Sequence, residues 1–368
     1  MLHRAGGPVR QEARDRMYVV GLGTAHPEHR YTKADCWTSF QASPWFERLD
    51  RRARMITELV LARDNGIEAR FLAVDSLDEV FSIDPDTLHQ RFATHAPALA
   101  SQAAARALAD AGLAAGDIDG VIVSTCTGYL CPGLSSYVAE SIGLRADVQA
   151  LDLVGQGCGA ALPNMRMAEA LIASQRCERV LSVCVEVSSA AMYLDNDPGV
   201  LISACLFGDG AGAAVLSASP QAERRSIRWT RAASVTDPGE REALRFEQRG
   251  GLLRNILTRR VPKLAAQHAQ HVLREVLDAE GLQPGDVDGW IWHAGGRDVL
   301  AALREQLDLS ENDVRHSAAM LREYGNLSSA FVYFVLQAAL ADDAPGGRWW
   351  LASFGAGFSS HGALLEVS

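Results

Sequence analysis

Two segments of the chain resemble each other, and this repeat constrains the architecture more than any other feature of the sequence. The segment GLAAGDIDGVIVSTCTG begins at Gly112, and GLQPGDVDGWIWHAGG begins at Gly281, 169 residues later. Each follows a helical pattern and leads through a glycine and two aspartates into a short apolar run typical of a buried strand. The repeat predicts that the chain contains a duplicated α/β half.

Helical and strand patterns alternate along the rest of the chain. The strand candidates are ADVQALDLV, RVLSVCVEVS, GAGAAVLSA and the two parts of the final RWWLASFGAGFSSHGALLEVS, whereas GAALPNMRMAEALIASQ has the period of a helix. This alternation predicts α/β layers with buried sheets. The weakest boundary is the polar stretch 219–251. We predict a flexible segment over 1–17, followed by one half over 18–225 and another over 226–368.

Composition excludes several classes of protein. The formal net charge of -10 argues against a nucleic-acid binder, which needs a basic surface. The seven cysteines form no CxxC pair and no cluster with histidine, so we expect neither a disulfide framework nor a metal site. No apolar run reaches the roughly 20 residues that cross a bilayer, and the polar first residues lack the apolar core of a signal peptide. We therefore expect a cytoplasmic protein with no membrane span.

One cysteine stands where a strand pattern meets a helical pattern. It is Cys158, in VGQGCGAA. A helix that starts just after it would point free backbone N–H groups at the sulfur and favour the thiolate. Its neighbours Gly157 and Gly159 permit a tight turn and the close approach of a substrate. This stretch is consistent with a nucleophile, and equally with a small buried residue that packs the helix against the strand.

A nucleophilic cysteine needs a basic or cationic partner, and His293 is the strongest candidate. It ends the strand pattern GWIWH and precedes AGGRD, and strand ends are where α/β folds place their sites. A third candidate is Asn326, in REYGNLSSAF. Its amide would suit an oxyanion donor, and it would equally suit a helix cap. The residues alone leave these alternatives open.

The candidate residues belong to five motifs that occur in one order. These are VGQGCGAA with Cys158, LFGDGAGAA with Phe207, WIWHAGG with His293, YGNLSSA with Asn326, and SFGAGF near the end. The ordered set resembles the type III polyketide synthases of the chalcone synthase superfamily, from about Tyr18 to the end of the chain. The resemblance implies an α/β, thiolase-like fold with duplicated αβαβα five-layered halves. The first half would carry the cysteine, and the second the histidine and asparagine.

The resemblance also assigns a role to individual residues. Cys158, His293 and Asn326 match the family's catalytic triad, and Phe207 matches its gatekeeper between the substrate tunnel and the cavity. Further positions match residues that bind the substrate in the family, namely Cys131, Ala191, Ser328 and Gly355. Of these, Cys131 would reach into the partner subunit's site. Three more positions match the family's CoA-binding region, namely Arg52, Arg54 and Arg63. The three arginines are equally consistent with a solvated helix face.

One departure from the family pattern occurs in the terminal loop 353–357. Ser353 and Ala356 stand where the family has its first glycine and its proline. The family pattern therefore does not predict the exact shape of this loop. Neither substitution falls on a position of the catalytic triad.

The family chemistry implied by the resemblance is acyl transfer between CoA thioesters, without a metal or another cofactor. Cys158 would take an acyl-CoA starter as a thioester. His293 and Asn326 would stabilise the enolate that forms when malonyl-CoA loses CO2, and this carbanion would attack the Cys158 thioester. The implied partners are the acyl-CoA starter, malonyl-CoA and a second copy of the chain in a homodimer. The glycine-rich GDGAGA lacks the strand-before and helix-after context of a nucleotide motif.

Two stretches narrow the expected product class. TCTGYLCPG and LDLVGQGCGAALPN are more similar to microbial alkylresorcinol and alkylpyrone synthases than to plant chalcone synthases. The small Ala191 would leave room for a long fatty acyl starter. We therefore expect such a starter and cyclisation to an alkylresorcinol or alkylpyrone.

Three other kinds of protein are alternatives to a type III polyketide synthase. A β-ketoacyl carrier-protein synthase III shares the fold and a Cys/His/Asn site but extends an acyl group once. A papain-like hydrolase also has Cys, His and Asn in this chain order, but its cysteine signature and disulfides are missing. A non-catalytic scaffold subunit would not need the intact triad.

Overall fold

The computed structural model describes residues 17–62, 65–221 and 225–368. Within them, thirteen strands and eleven α-helices are joined by loops and short 3-10 turns. The strands are β1 (Met17–Ala25), β2 (Arg30–Thr32), β3 (Ala69–Phe71), β4 (Gly120–Ser124), β5 (Gln149–Leu153), β6 (Arg179–Glu186), β7 (Gly210–Ser217), β8 (Ile227–Thr236), β9 (Leu244–Arg249), β10 (Leu252–Leu257), β11 (Gly289–Trp292), β12 (Gly347–Gly355) and β13 (Ser359–Val367). The helices are α1 (Lys33–Ala42), α2 (Pro44–Arg48), α3 (Arg51–Ala62), α4 (Pro85–Ala111), α5 (Leu134–Ile142), α6 (Ala161–Ala173), α7 (Pro198–Leu206), α8 (Val261–Glu280), α9 (Arg297–Leu307), α10 (Arg315–Tyr324) and α11 (Phe331–Ala341).

The main sheet shows the predicted duplication directly. Its nine strands run in the order β11-β12-β13-β8-β1-β7-β6-β4-β5. β4 is parallel to β6, β6 is antiparallel to β7, and β7 is antiparallel to β1. The strands β11, β12, β13 and β8 repeat these directions in the same order. The two sets join where the first residues of β1 pair with β8. The duplication predicted from the sequence is therefore confirmed.

Matching turns extend the duplication to single residues. α4 and α8 both end at a glycine in the left-handed conformation, with φ of 60° at Gly112 and 68° at Gly281. A side chain at either position would be strained, so glycine is the favoured residue there. Further on, the backbone N–H of Asp119 bonds to the first residue of β6, and that of Asp288 bonds at the start of β12. The similar sequences therefore fold into the same local structure.

The helices form three layers around the two halves of the sheet. α4 packs against β1, β6 and β7, whereas α8 packs against β8 and β13. α6 and α11 lie between the halves and contact strands of both. The order helix, strand, helix, strand, helix is the predicted five-layer arrangement. The largest hydrophobic cluster lies around this central layer, and its biggest buried side chains are Trp229, Trp292, Trp349, Trp350, Tyr333, Phe331 and Phe358.

The polar stretch 219–251 has more structure than its composition indicates. It contains β8, which lies inside the main sheet between β1 and β13. Only alternate residues of β8 are fully buried, which explains why its sequence lacks a continuous apolar run. The predicted division at 225/226 falls just before this strand and stays a prediction. Residues 1–16 lie outside the described part of the chain, and Met17 already belongs to β1.

None of the helices in the described parts of the chain combines the length and apolar character needed to cross a bilayer.

Candidate active site

The turn that carries Cys158 explains why small residues flank it. Cys158 lies in a short 3-10 turn directly before α6 and is 7% exposed, so the predicted helix start is confirmed. Gly157 has a φ of +57°, and a Cβ there would lie 2.9 Å from the backbone nitrogen of Ala356. A Cβ at Gly159 would lie 3.0 Å from the backbone nitrogen of Gly355. The terminal loop therefore packs directly on the turn, and side chains at both positions would push it away.

His293 and Asn326 form a buried pair. His293 follows β11, and its backbone N–H donates to Ala352 in β12 over 2.9 Å. Its Nε2 lies 3.1 Å from Oδ1 of Asn326. Burial lowers the pKa of His293 to about 4, so the ring is neutral at neutral pH. The Asn326 amide also donates to the Gly295 carbonyl over 3.3 Å, which fixes its orientation.

A second cysteine connects the nucleophile candidate to this pair. The thiol of Cys126 is hydrogen-bonded to Cys158 and lies 3.4 Å from Oγ of Ser328. The backbone N–H of Ser328 donates to Oδ1 of Asn326 over 2.9 Å. The described hydrogen bonds link Cys158 to His293 through this chain of contacts rather than directly. The three predicted residues therefore belong to one buried network.

Glu186 is a buried carboxylate at the base of the network. It is fully buried and accepts hydrogen bonds from the Cys126 backbone (3.0 Å), the Thr127 hydroxyl (3.0 Å) and the Ser328 hydroxyl (3.2 Å). Burial raises the pKa of Glu186, and the hydrogen bonds oppose that rise. The pKa of Cys126 is raised well above its ordinary value by its hydrogen bond to Cys158, by burial and by the Glu186 charge. Cys126 is therefore held as a neutral thiol.

The site forms where counterpart elements of the two halves meet. The turn that carries Cys158 precedes α6, and the turn Ser328–Ala330 precedes α11, its counterpart in the other half. These two turns pack against each other. The loops after β4 and β11 are also counterparts, and they carry Cys126 and His293. The sequence predictions do not include Cys126 or Glu186, although the repeat held the signal for Cys126: its loop corresponds to the loop of His293.

A small cavity of about 40 Å³, partly open to solvent, adjoins the network. Cys126 and three of the predicted substrate-binding residues, Phe207, Ala191 and Ser328, lie in its wall. Gly355 is not part of this wall. It packs against the turn that carries Cys158, where a Cβ on Gly355 would be 2.4 Å from the Gln156 carbonyl. The sequence thus identified three residues that line one cavity.

Of the remaining predicted positions, those that the structure describes are not part of the cavity wall. Cys131 is exposed on the loop before α5. Arg52 is exposed on α3, whereas the Arg54 guanidinium donates to two backbone carbonyls of the preceding segment, one of them at Leu49 over 3.0 Å. Arg54 therefore holds the link between α2 and α3. Arg63 lies outside the described residues, and CoA binding by these arginines stays a prediction.

Because a buried histidine lies beside the turn that carries Cys158, we expect the stability of the protein to depend on pH. His361 in β13 lies close to Gly159, and its Nδ1 is 2.8 Å from Oγ of Ser234. Burial lowers its pKa from 6.5 to about 4. Between these values only the unfolded state binds the proton, so stability falls as pH falls through this window. We expect His361→Gln to reduce the slope of unfolding free energy against pH by about 1.4 kcal/mol per pH unit.

Urea unfolding of both proteins at several pH values from 4 to 7.5 measures this slope. Parallel curves for the wild type and the variant would contradict the buried neutral histidine.

Comparisons with known proteins identify the family to which the chain belongs. The family model described as FAE1/Type III polyketide synthase-like protein matches residues 14–237, and that of the C-terminal domain of chalcone and stilbene synthases matches 238–365. The chain is 32% identical over 354 residues to a 1,3,6,8-tetrahydroxynaphthalene synthase of Streptomyces peucetius subsp. caesius, covering 95% of this chain and 92% of the relative. It is 28% identical over 365 residues to a 3,5-dihydroxyphenylacetyl-CoA synthase of Streptomyces toyocaensis, covering 95% and 90%.

Solved structures give the same result. PKS-I from the brown alga Ectocarpus siliculosus superposes with a TM-score of 0.87 at 26% identity, covering 95% of this chain and 98% of that one. The tetrahydroxynaphthalene synthase of Streptomyces coelicolor A3(2) superposes with a TM-score of 0.83 at 25% identity, covering 95% and 99%. With both halves matched by family models and the thiolase-like fold shared, the chain belongs to the type III polyketide synthases, the acyl-transferring condensing enzymes.

Proposed function

We propose that this type III polyketide synthase loads a long-chain fatty acyl-CoA on Cys158, extends it with malonyl-CoA and closes the product to an alkylresorcinol or alkylpyrone. The observation that carries the choice of starter is a second, largely apolar cavity beside the first. It has a volume of about 40 Å³, and Phe40, Leu61, Leu77, Leu194 and Leu201 are among its wall residues.

The two cavities share part of their walls. Leu72, Met192 and Ala204 line both of them. An acyl chain attached near Cys126 and Ser328 would therefore point from the first cavity towards the second, and a long chain would widen both spaces as it binds. Each methylene buried there gains about 0.8 kcal/mol, which favours a long alkyl chain over a short one.

The proposed reaction assigns a task to each group in the network. The Cys158 sulfur attacks the starter thioester, and CoA leaves as the thiol. Malonyl-CoA then binds with its thioester oxygen near His293 and Asn326. The electron pair of the breaking C–C bond becomes the enolate as CO2 leaves, and N–H donors on the neutral imidazole and the amide stabilise its oxygen. The enolate carbon attacks the acyl thioester, a C–C bond forms, and the thiolate of Cys158 is released.

Phe207 would contribute through its size rather than its chemistry. Its ring lies in the wall of the cavity, and its backbone pairs with that of Asn326. An apolar ring there would exclude water from the enolate, which water would otherwise protonate before condensation.

A homodimer is supported by an exposed apolar patch. Tyr129 is 70% and Val154 67% exposed, and Tyr137 and Leu151 are also exposed. The segments that carry them are joined by a hydrogen bond from the Ser135 backbone to Asp152, and β5 forms the end of the main sheet. An apolar patch along the end strand of a sheet favours pairing with a second copy. Cys131 lies on this same surface segment.

The starter preference is tested by mass spectrometry of products from malonyl-CoA with long-chain, short-chain and aromatic acyl-CoA. We expect kcat/KM to be highest for the long-chain starters. Ala204→Leu places a larger side chain in the wall that the two cavities share and narrows the space between them. It should therefore lower kcat/KM for long-chain starters by about tenfold or more. Short-chain starters, which do not reach the second cavity, are the control and should react at nearly the wild-type rate. A preference for aromatic starters would contradict the proposal.

A second candidate product is favoured by the relative that is 32% identical, a 1,3,6,8-tetrahydroxynaphthalene synthase. Incubation with malonyl-CoA as the sole substrate separates the two. Efficient formation of tetrahydroxynaphthalene under this condition would support the second candidate and overturn the fatty acyl starter.

A further inference from the structure

A buried arginine outside the catalytic network holds two backbone segments of the site. Arg70 lies on β3 and is 7% exposed. Its Nη1 donates to the carbonyl of Ala204 over 2.8 Å and to that of Phe207 over 3.0 Å. These carbonyls belong to the last turn of α7 and the residue after it. A helix end leaves carbonyls without partners and carries partial negative charge, and a guanidinium satisfies both.

The segment held by Arg70 is joined to the backbone of Asn326. The Asn326 N–H donates to the Leu206 carbonyl over 2.9 Å, and the Gly208 N–H donates to the Asn326 carbonyl over 3.0 Å. Phe207 and Asn326 therefore form a bridge with parallel backbones. The position of the asparagine amide depends on where α7 ends.

The aliphatic part of Arg70 also packs beside Asn326. Gly325 has a φ of +70°, and a Cβ there would lie 3.0 Å from Cγ of Arg70 and 2.7 Å from the Leu206 carbonyl. The arginine thus contacts the asparagine segment with its stem and the gatekeeper segment with its guanidinium. Arg70 also lies in the wall of the second cavity.

We propose that Arg70 is a positioning residue for the decarboxylation of malonyl-CoA. It fixes Phe207 and Asn326 relative to each other and touches neither malonyl-CoA nor the reacting atoms. The inference rests on the proposed role of Asn326 as a donor to the enolate. Without the guanidinium, two buried carbonyls lose a donor and the end of α7 is free to shift. A displacement of about 1 Å in a catalytic group costs on the order of 100-fold in rate.

A second buried arginine provides a matched control. Arg91 is 8% exposed and likewise donates to two backbone carbonyls, those of Ser189 and Glu79, both over 2.7 Å. Its hydrogen bonds do not involve the segments around Phe207 and Asn326. Replacing it removes a similar number of buried bonds, so it measures the loss of stability without a shift in those segments.

The test separates two half-reactions in Arg70→Met, Arg70→Lys, Arg91→Met and Asn326→Ala. Acylation of Cys158 is measured as the burst of free CoA from a short-chain starter acyl-CoA, which does not reach the second cavity, without malonyl-CoA. Decarboxylation is measured as CO2 released from malonyl-CoA. We expect Arg70→Met to slow decarboxylation by about 10- to 100-fold and to change acylation by about twofold at most. Arg70→Lys keeps a donor for the carbonyls, so it should recover part of the rate and remain folded.

The outcomes distinguish the inference from the proposed function. Equal losses in both half-reactions for Arg70→Met, matched by Arg91→Met, would show a structural role and overturn the inference. A wild-type rate of decarboxylation in folded Arg70→Met would also overturn the inference. If Arg70→Met does not fold, wild-type rates in both Arg70→Lys and Arg70→Gln would overturn it instead. If Asn326→Ala decarboxylates normally, the proposed donor role fails, whereas normal Arg70 variants beside a slow Asn326→Ala contradict the inference alone.

Discussion

We expect the replacement of Cys158 by alanine to lower polyketide formation by about 10⁴-fold or more, the loss that follows removal of a catalytic nucleophile. The neighbouring thiol of Cys126 does not replace it. Its pKa is raised well above the ordinary value by the hydrogen bond to Cys158, by burial and by the Glu186 carboxylate, so the reactive thiolate is scarce. Decarboxylation of malonyl-CoA continues in the Cys158 variant, because His293 and Asn326 remain in place.

Mass spectrometry of the intact protein after incubation with a starter acyl-CoA measures this prediction. The wild type and Cys126→Ser should carry one acyl group on Cys158, and Cys158→Ala should carry none. An acyl group on Cys126 in the alanine variant would show that the second thiol is nucleophilic and that it is not held in the protonated form.

We expect the replacement of His293 or Asn326 by alanine to slow decarboxylation of malonyl-CoA by about 10²- to 10³-fold each, the loss typical of removing one oxyanion donor. The reason lies in their burial. Both side chains are 3% exposed, so the enolate oxygen would have few water molecules to replace a missing donor. His293→Gln keeps an N–H donor in a side chain of similar reach, so it should lose less than the alanine variant.

Release of CO2 from malonyl-CoA measures this second prediction, and the unfolding free energy of each variant is its control. Loss of activity that follows only the loss of folded protein would contradict the donor role. Equal rates for His293→Gln and His293→Ala would show that the N–H group itself is unimportant.

The elements that the sequence predicted best are those with a local signal. The buried strands β4, β6 and β7 contain continuous apolar runs, and α6 has a clear helical period, so their positions follow from the pattern of residues. β8 was hidden in a polar stretch because only its alternate residues are buried. The ordered motifs identified the family, which the comparisons confirm.

The sequence by itself determined the duplication, the layered α/β architecture and the candidates for the residues that carry chemistry. Only the tertiary structure decided which of them meet. Cys126 lies beside Cys158 and within hydrogen-bond distance of Glu186, and the turn that carries Cys158 packs against its counterpart turn Ser328–Ala330. The second cavity and the contacts of Arg70 likewise bring together segments that are far apart in the sequence. Periodic patterns report which side of one helix or strand is buried, whereas contacts between distant segments depend on how whole layers pack.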